Sequence, residues 1–418
     1  MRVSLSWLNE LVQVNEPVQE LAQRLSMAGF EEEEIDDLSA LAQGVVIGFV
    51  KEKDKHPNAD KLSLCQVDVG GPEPIQIVCG AGNVRAGIHV PVAMVGAVLP
   101  SANLTIKAGE LRGVASNGMI CSLSELGLAS DSDGIAVLDE LETDLPALGQ
   151  PVAAVLGLDD TVLDLAITAN RPDGLSMVGI AREVAALTGG ELSLPELDLV
   201  PQHEPLQTTA ESAEAMTAGG LYGISLIEEL DGSVASPAWV QRRLSRAGIN
   251  QVNAVVDITN VVMLEQGQPL HAFDADALER ITGKTVEAAS FGLRQALEGE
   301  TFTGLDDREL TLDGRAQVVT CHDHPIALAG VMGSKASGVG AATNRIWLES
   351  AMFSPVSVRT TARSVGLRTD ASARFEKGLP KDITLACSVR ALELLSAQFD
   401  CSLKGRWVCG ALEADAAP

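Results

Sequence analysis

The sequence predicts a multidomain α+β protein: a small α+β segment at the start, an all-β barrel within residues 41–149, and a larger α+β domain over 219–410. Three observations carry this prediction. A chain of 418 residues and 43.7 kDa exceeds one compact core and suits two or three domains. Between about 45 and 145 the text changes to short apolar segments separated by Gly, Pro, Asn and Asp, the pattern of closely spaced strands. After residue 221, helical periodicity and β-rich runs are mixed,. Hydrophobic residues at 46% and charged residues at 21% make the composition globular rather than disordered,.

Thirty basic residues stand against 57 acidic ones, a net charge of −27. That excludes a protein that binds nucleic acid over its whole surface, because phosphate contacts need clustered Lys and Arg; a local basic track remains open. The seven cysteines, at 65, 79, 121, 321, 387, 401 and 409, form no CxxC pair. A disulfide scaffold is therefore not expected, and a reducing cytoplasm is the simplest compartment. The opening MRVSLSWLNELV lacks the apolar core of a signal peptide,, and no run approaches the roughly 18 apolar residues of a membrane span. A soluble cytoplasmic protein with no membrane partner is expected.

In chain order, residues 1–5 read as a short strand, and 6–12 and 18–27 as helices with Gly29 as a stop,. The run Glu31-Glu32-Glu33-Glu34 reads as a solvated acidic stretch,. Segments 45–51, 62–69, 75–79, 90–93 and 104–108 read as five strands, a number that fits an OB-like barrel,. Within 41–130, seven Lys or Arg balance seven Asp or Glu, so this segment is neutral inside a very acidic chain. Such relief is what a nucleic-acid-facing module needs. A helix is predicted over 174–188, closed by Gly189-Gly190. Residues 192–218 are polar and carry Pro195, Pro201 and Pro205, so 196–218 reads as a linker,. The last domain has a predicted helix at 237–247, β-rich runs at 317–321 and 345–348, and a helix at 384–398, before a polar tail at 411–418.

The densest motif in the β segment starts with His56-Pro57-Asn58-Ala59-Asp60-Lys61-Leu62 and Val78-Cys79-Gly80-Ala81-Gly82-Asn83. It closes with Leu111-Arg112-Gly113-Val114-Ala115-Ser116-Asn117-Gly118-Met119-Ile120-Cys121-Ser122. The ordered whole resembles the OB-fold tRNA-binding domain of bacterial methionyl- and phenylalanyl-tRNA synthetases and free tRNA-binding proteins. Lys61 and Arg112 are then the natural phosphate contacts, with Asn83 and Ser116 beside them. Taken singly, each Gly here need only turn the chain. Gly80-Ala81-Gly82 lacks the third Gly and the following helix of a nucleotide loop,.

Asn170-Arg171-Pro172-Asp173-Gly174-Leu175-Ser176 and Gly179-Ile180-Ala181-Arg182-Glu183 resemble a stretch of the bacterial phenylalanyl-tRNA synthetase β-subunit family. Locally, Asp173 reads as a helix cap, with Arg182 and Glu183 on the helix face. In that family the OB domain is inserted between two halves of a small N-terminal domain, which would be 1–40 and 150–195 here. The resemblance is closest over Val255-Val256-Asp257-Ile258-Thr259-Asn260 through Gly267-Gln268-Pro269-Leu270-His271-Ala272-Phe273-Asp274. Further matches are Leu328-Ala329-Gly330-Val331-Met332-Gly333, Leu348-Glu349-Ser350-Ala351 and the run from Gly366 to Gly378.

The resemblance implies an α+β editing domain that hydrolyses misacylated tyrosyl-tRNA(Phe). Its pocket would take Thr259, Asn260, Pro269, His271, Ala329, Gly330, Glu349, Thr369 and Ala371. The residue types suit the task. A hydrophobic synthetic pocket rejects an added hydroxyl only by about a hundredfold, and a second site with a buried acceptor for that hydroxyl reverses the preference. Glu349 has the right type for the acceptor, Ala329 and Gly330 leave room for a ring, and His271 and Thr259 are placed to orient a water. His271 read alone is a structural histidine, and Glu349 read alone is a solvated or cap residue. One departure is Asn250 after Gly248-Ile249, where many relatives have Arg.

Cys321-His322-Asp323-His324 offers four adjacent donors that cannot all converge on one ion, so a polar turn stopped by Pro325 is expected and no metal site,. Arg359, Arg363, Arg368, Arg374, Lys377 and Lys381 against Asp370 and Glu376 give +4 over 359–381, read as a path for the tRNA acceptor arm.

The family's β subunit runs on to a magnesium-binding domain, a module that docks the α subunit, and an anticodon-binding domain. None of that text is present, so a fragment ending after the editing domain is expected. The resemblance implies an assembly of two α and two β subunits that joins phenylalanine to tRNA(Phe) using ATP and Mg²⁺, with no cofactor in this chain. A free trans-editing deacylase and a non-catalytic tRNA-docking scaffold are the alternatives.

Overall fold

The computed structural model describes residues 1–129, 131–141, 144–199 and 201–410; the polar tail at 411–418 lies outside the described residues. The fold mixes α and β elements. The chain forms two compact units, one from Met1–Glu34 with Leu163–Pro418 and one from Ile35–Val162. Among the described residues no helix is long and apolar enough to cross a membrane.

The Ile35–Val162 unit is built on five antiparallel strands in the order Gly118–Ile120, His89–Met94, Val45–Lys55, Ser63–Asp68 and Ile75–Cys79. The long first strand changes register between Val50 and Glu52, and such a bulge bends and twists a sheet. The bend draws the edges together: Asn117 donates its backbone N–H to Gln76 O at 2.9 Å, and the Gln76 side chain donates to Ala115 O at 2.8 Å. Both faces are covered. Val45, Ile47, Ala93, Leu99 and Leu126 pack on one side, and Val50, Val67, Ile77, Val90 and Val92 on the other. The segment read as a fifth strand, 104–108, keeps only Leu104–Thr105, and a hairpin of Gly109–Leu111 with Val114–Ser116 follows it.

In the other unit, the strand Arg2–Ser4 leads at once into the helix Leu5–Leu11, whose N-terminus is capped by the Ser4 hydroxyl. Glu31–Glu34, read as a solvated run, belong to the strand Glu31–Asp37. The helix expected over 174–188 begins at Met177, after a 3₁₀ turn at Pro172–Leu175. Its cap is Ser176, which accepts from Gly179 N–H, and not Asp173. Asp173 instead pairs with Arg171, which also reaches Glu183 and lies over the Phe30 ring. Both oxygens of Asp173 are taken by the guanidinium, and the Ser176 hydroxyl caps the helix in its place,.

The larger part of this unit is a five-stranded sheet in the order Glu204–Pro205, Ser402–Gly410, Leu221–Glu228, Arg345–Ala351, Leu270–Asp274. The first pair is parallel and the rest antiparallel. One face packs on a second sheet of Phe291–Gln295, Gln317–Cys321, His324–Leu328 and Met332–Gly333, with Tyr222, Ile224, Phe273, Trp347, Phe291, Leu293 and Val318 in the shared core. The opposite face carries the helices Ala254–Gln266 and Thr384–Gln398: Leu221, Leu385 and Val408 cluster there, and the Ser350 hydroxyl donates to Thr384 O. Strands covered on both faces lose the apolar–polar alternation of a half-exposed sheet. The stretch 196–218, expected to be linker, contains a strand at Glu204–Pro205 and nearly all of a helix at Ala210–Gly219.

Glu265 and Arg374 are among the charged groups buried inside this unit. Glu265, 2% exposed, receives both ends of the Arg390 guanidinium at 3.0 and 3.2 Å. Arg374, also 2% exposed, donates twice to Leu175 O, at 3.2 and 3.0 Å, and once to Asp370 O. Burial lowers its pKa. A planar fork that satisfies several carbonyls at once is what arginine does and lysine cannot.

Candidate functional site

Strand register assembles the candidate site. His271 is directly opposite Glu349 between Leu270–Asp274 and Arg345–Ala351, and Ile224 is opposite Glu349 on its other side. Tyr222 lies two residues along from Ile224, so it reaches Glu349 on the diagonal,. Its phenolic hydroxyl donates to Glu349 Oε2 at 2.9 Å. Glu349 is 6% exposed and Tyr222 fully buried. Burial pushes the Glu349 carboxyl up to about 7, with the Tyr222 hydrogen bond acting in the opposite direction,. Burial and the neighbouring carboxylate hold the Tyr222 phenol well above its ordinary value. Burial also pushes His271 down to about 4, so the imidazole is neutral near pH 7. Its Nε2 has no hydrogen-bond partner, and its ring stands edge-on to Phe273, 4.5 Å between centroids.

Around this pair lies a cavity of about 70 Å³ lined by Pro269, His271, Gly330, Gly333, Glu349, Phe353, Ala371 and Phe375, among others. Gly330 adopts a left-handed φ of +67°, and a Cβ there would meet Val358, Phe375 and Phe353 at 2.9–3.1 Å. Gly333 lies against the His271 ring, where a Cβ would come within 2.3 Å of Cε1. No side chain fits at that distance. Ala371 is in the first turn of the helix Asp370–Phe375, whose N-terminus Thr369 caps through a reciprocal box with Ser372,.

Of the residues expected to form the pocket, Pro269, His271, Gly330, Glu349 and Ala371 line this cavity together. The other four do not line it. Thr259 donates its hydroxyl to Val256 O at 2.7 Å within its own helix, and Asn260 follows it there half-buried. Ala329 is buried, with its N–H on Gln317 O. Thr369 donates to Val331 O at 2.9 Å and caps its helix. Sequence reasoning missed Tyr222, Gly333, Phe353 and Phe375. A signal existed for Tyr222: it is the only tyrosine of the chain and lies in an apolar run, and a buried phenol needs a partner.

In the Ile35–Val162 unit, the His56 motif holds the Leu111–Gly113 turn. Asn58 N–H donates to His56 Nδ1 at 3.1 Å, which leaves the proton on Nε2 to donate to Leu111 O at 3.0 Å,. Asn58 Nδ2 donates to Arg112 O at 2.9 Å. The backbone of Arg112 is thus fixed while its side chain, like that of Lys61, is exposed. Asn83 and Ser116 have internal roles. Asn83 exchanges two hydrogen bonds with the Ile135 backbone, and Ser116, 6% exposed, accepts from Val78 N–H and donates to Gly118 O.

The basic run at 359–381 does not form one exposed track. Arg374 is the buried anchor described above, and Arg359 Nε lies 3.8 Å from a Glu376 carboxylate oxygen. Around 321–324, Cys321 is buried, His322 Nε2 bonds Thr285 O and Asp323 pairs with Arg294. Among the described residues no three His, Cys, Asp or Glu side chains gather where they could hold a metal ion.

Two family models match the chain: the "B3/4 domain" over residues 219–400 and the "Putative tRNA binding domain" over residues 45–144. The chain is 79% identical to the phenylalanine–tRNA ligase β subunit of Parasynechococcus marenigrum (strain WH8102), over 100% of this chain and 51% of that one. It is 69% identical to the same subunit of Synechococcus sp. (strain CC9605), with the same coverage. The chain therefore spans about half the length of the curated relatives it matches. Among solved structures, an N-terminal fragment of the phenylalanyl-tRNA synthetase β-subunit from Pyrococcus horikoshii is 16% identical over 50% of this chain and 61% of that one, with a TM-score of 0.26.

Proposed function

This chain belongs to the phenylalanine–tRNA ligase β-subunit family, and from that premise we propose that it binds tRNA(Phe) and hydrolyses misacylated tyrosyl-tRNA(Phe). The observation that carries the reading is Glu349, a buried carboxyl on the wall of a mostly apolar cavity that already accepts a phenolic hydroxyl. A tyrosyl ring entering the cavity offers a second such hydroxyl, and a phenylalanyl ring does not. Leaving a buried polar group unpaired costs about 1–3 kcal/mol, which favours the tyrosyl ester.

In the reaction a water oxygen bonds to the ester carbonyl carbon, the bond to the ribose oxygen breaks, and that oxygen leaves with a proton. His271, neutral and with Nε2 free, is suited to orient the water,. Thr259, occupied within its helix, is not assigned that role here. Thr369 supports the pocket through Val331 O and Ala329 through the core beside Gly330, and Asn260 is not assigned a role in it. In the barrel, which we read as an OB fold inserted into a small N-terminal domain, Lys61 and Arg112 contact phosphate; Asn58 and Ser116 hold the hairpin that carries Arg112, and Asn83 ties its own loop to Ile135. In the complete cytoplasmic enzyme, phenylalanine activation with ATP and Mg²⁺ falls mainly to the α subunit, two α and two β subunits making the assembly.

One observation favours the docking-scaffold reading instead. The cavity of about 70 Å³ is well below the roughly 300 Å³ of a typical ligand site, so a ring enters only if Phe353, Phe375 or Met332 shifts. Deacylation rates of tyrosyl- and phenylalanyl-tRNA(Phe) by the chain decide between the two. Faster release of tyrosine supports editing, and no release of either supports the scaffold.

A further inference from the structure

We propose that Tyr222 is a positioning residue for selectivity: its hydroxyl holds Glu349 Oε2, fixes the carboxyl plane, and leaves Oε1 as the only oxygen able to read a substrate hydroxyl. The inference rests on the editing function proposed above and adds to it a residue outside the expected set.

The geometry is specific. Tyr222 and Glu349 occupy diagonal positions on neighbouring strands, both pointing into the same core face. The phenol is fully buried, with Phe353 edge-on at 6.5 Å between centroids, so the hydroxyl finds in Glu349 the acceptor that a buried phenol requires. Without that tie a glutamate has three rotatable side-chain bonds and two equivalent oxygens. It then meets any ring that enters, in several orientations. With the tie, the second oxygen has one direction.

The tie also settles what Oε1 does in either protonation state. Since the Tyr222 hydroxyl donates to Oε2, a carboxylate presents Oε1 as an acceptor, and a carboxylic acid carries its proton on Oε1 as a donor. A tyrosyl hydroxyl can meet both, because it donates and accepts. A phenylalanyl ring can meet neither. The titratable groups that face Glu349 are Tyr222 from one neighbouring strand and His271 from the other. Cys409 is opposite Tyr222 on the Ser402–Gly410 strand, and Cys321 acts on Tyr222 from the second sheet. Asp370 and Arg374 belong to the helix that carries Ala371 and Phe375, with Glu376 at its C-cap and Arg374 committed to Leu175 and Asp370.

The test is Tyr222→Phe in the full 418-residue chain, with folding checked by circular dichroism and thermal melting. Three measurements follow: kcat and KM for both esters, the pH profile of tyrosyl-ester hydrolysis, and the titration of Glu349 by ¹³C-glutamate resonance. The last needs no substrate, and Glu349 is assigned by its loss in Glu349→Gln. Removing the hydroxyl should lower tyrosine-over-phenylalanine selectivity about three- to tenfold. It should also raise the Glu349 midpoint, because the hydrogen bond to the charged form is lost,. A merely structural phenol would leave the selectivity in place even where the midpoint moves. A selective parent chain with unchanged selectivity in Tyr222→Phe overturns this inference alone. A parent chain that hydrolyses both esters equally overturns the editing function and this inference with it.

Discussion

His271 and Glu349 face each other across adjacent antiparallel strands, both buried, and burial displaces their titrations in opposite directions. The carboxyl is raised to about 7 and the imidazole lowered to about 4. Two groups that would attract each other as ions in water are thus both neutral over the range between these values. A neutral pair suits a pocket that takes an apolar ring.

This opposition has a signature in stability. Glu349, raised when folded, contributes stability that is complete below its unfolded value near 4.5 and is lost as pH rises through 7,. His271, lowered when folded, contributes stability that is complete above 6.5 and is lost as pH falls through 4,. Between about 4.5 and 6.5 the two slopes oppose each other, each up to about 1.4 kcal/mol per pH unit. Glu349→Gln should therefore make stability rise with pH across that window, and His271→Asn should make it fall. Urea midpoints at half-unit intervals measure both. Parallel profiles for the two variants would contradict the assignment.

Arg374 links the helix Asp370–Phe375 to the carbonyl of Leu175. Arg374→Met should lower stability by about 2–3 kcal/mol, because the part-buried Leu175 carbonyl loses charged donors and the replacement cannot supply one,. Arg374→Lys should recover little, since an ammonium cannot fork onto the same acceptors. Denaturation of both variants beside the parent is the measurement, and full recovery by Lys would count against the fork.

At Gly330, a Val side chain meets Val358, Phe375 and Phe353, and the left-handed φ penalises any Cβ,. Gly330→Val should cost about 1–3 kcal/mol of stability and reduce deacylation of both esters together. A variant that folds and keeps full turnover would place the substrate elsewhere.

For the barrel, Arg112→Glu should weaken tRNA binding and reduce the slope of log affinity against log salt by about one. Asn83→Ala should instead act through folding, because its amide is committed to the Ile135 backbone. Filter binding at four salt concentrations separates the two. An unchanged slope in Arg112→Glu would make this turn a structural element only.

Much of this arrangement was legible from local text. The helix at Thr384–Gln398 and the strands at Ile75–Cys79 and Gln317–Cys321 carry their own periodicity or turn boundaries. The helix Ala254–Gln266 does not, because 11 of its 13 residues are buried and no polar face marks the period,. His271 and Glu349 could be named from their motifs, but their pairing depends on strand register between segments 78 residues apart in number, which no local pattern encodes,. Thr259 illustrates the converse. A hydroxyl within a recognised motif reads as a water ligand, yet in a helix it bonds the carbonyl three residues back,. The charge of Arg374 likewise says nothing of its burial, which only the distant Leu175 carbonyl explains.

The central claim is that Glu349 reads the tyrosyl hydroxyl, and the ratio of tyrosyl- to phenylalanyl-tRNA(Phe) deacylation rates in Glu349→Ala tests it most directly. The parent chain should release tyrosine in preference. The variant should lose about ten- to a hundredfold of that preference, the equivalent of one unpaired buried group, while its phenylalanyl rate changes little. An undiminished ratio in a folded Glu349→Ala chain would contradict the account.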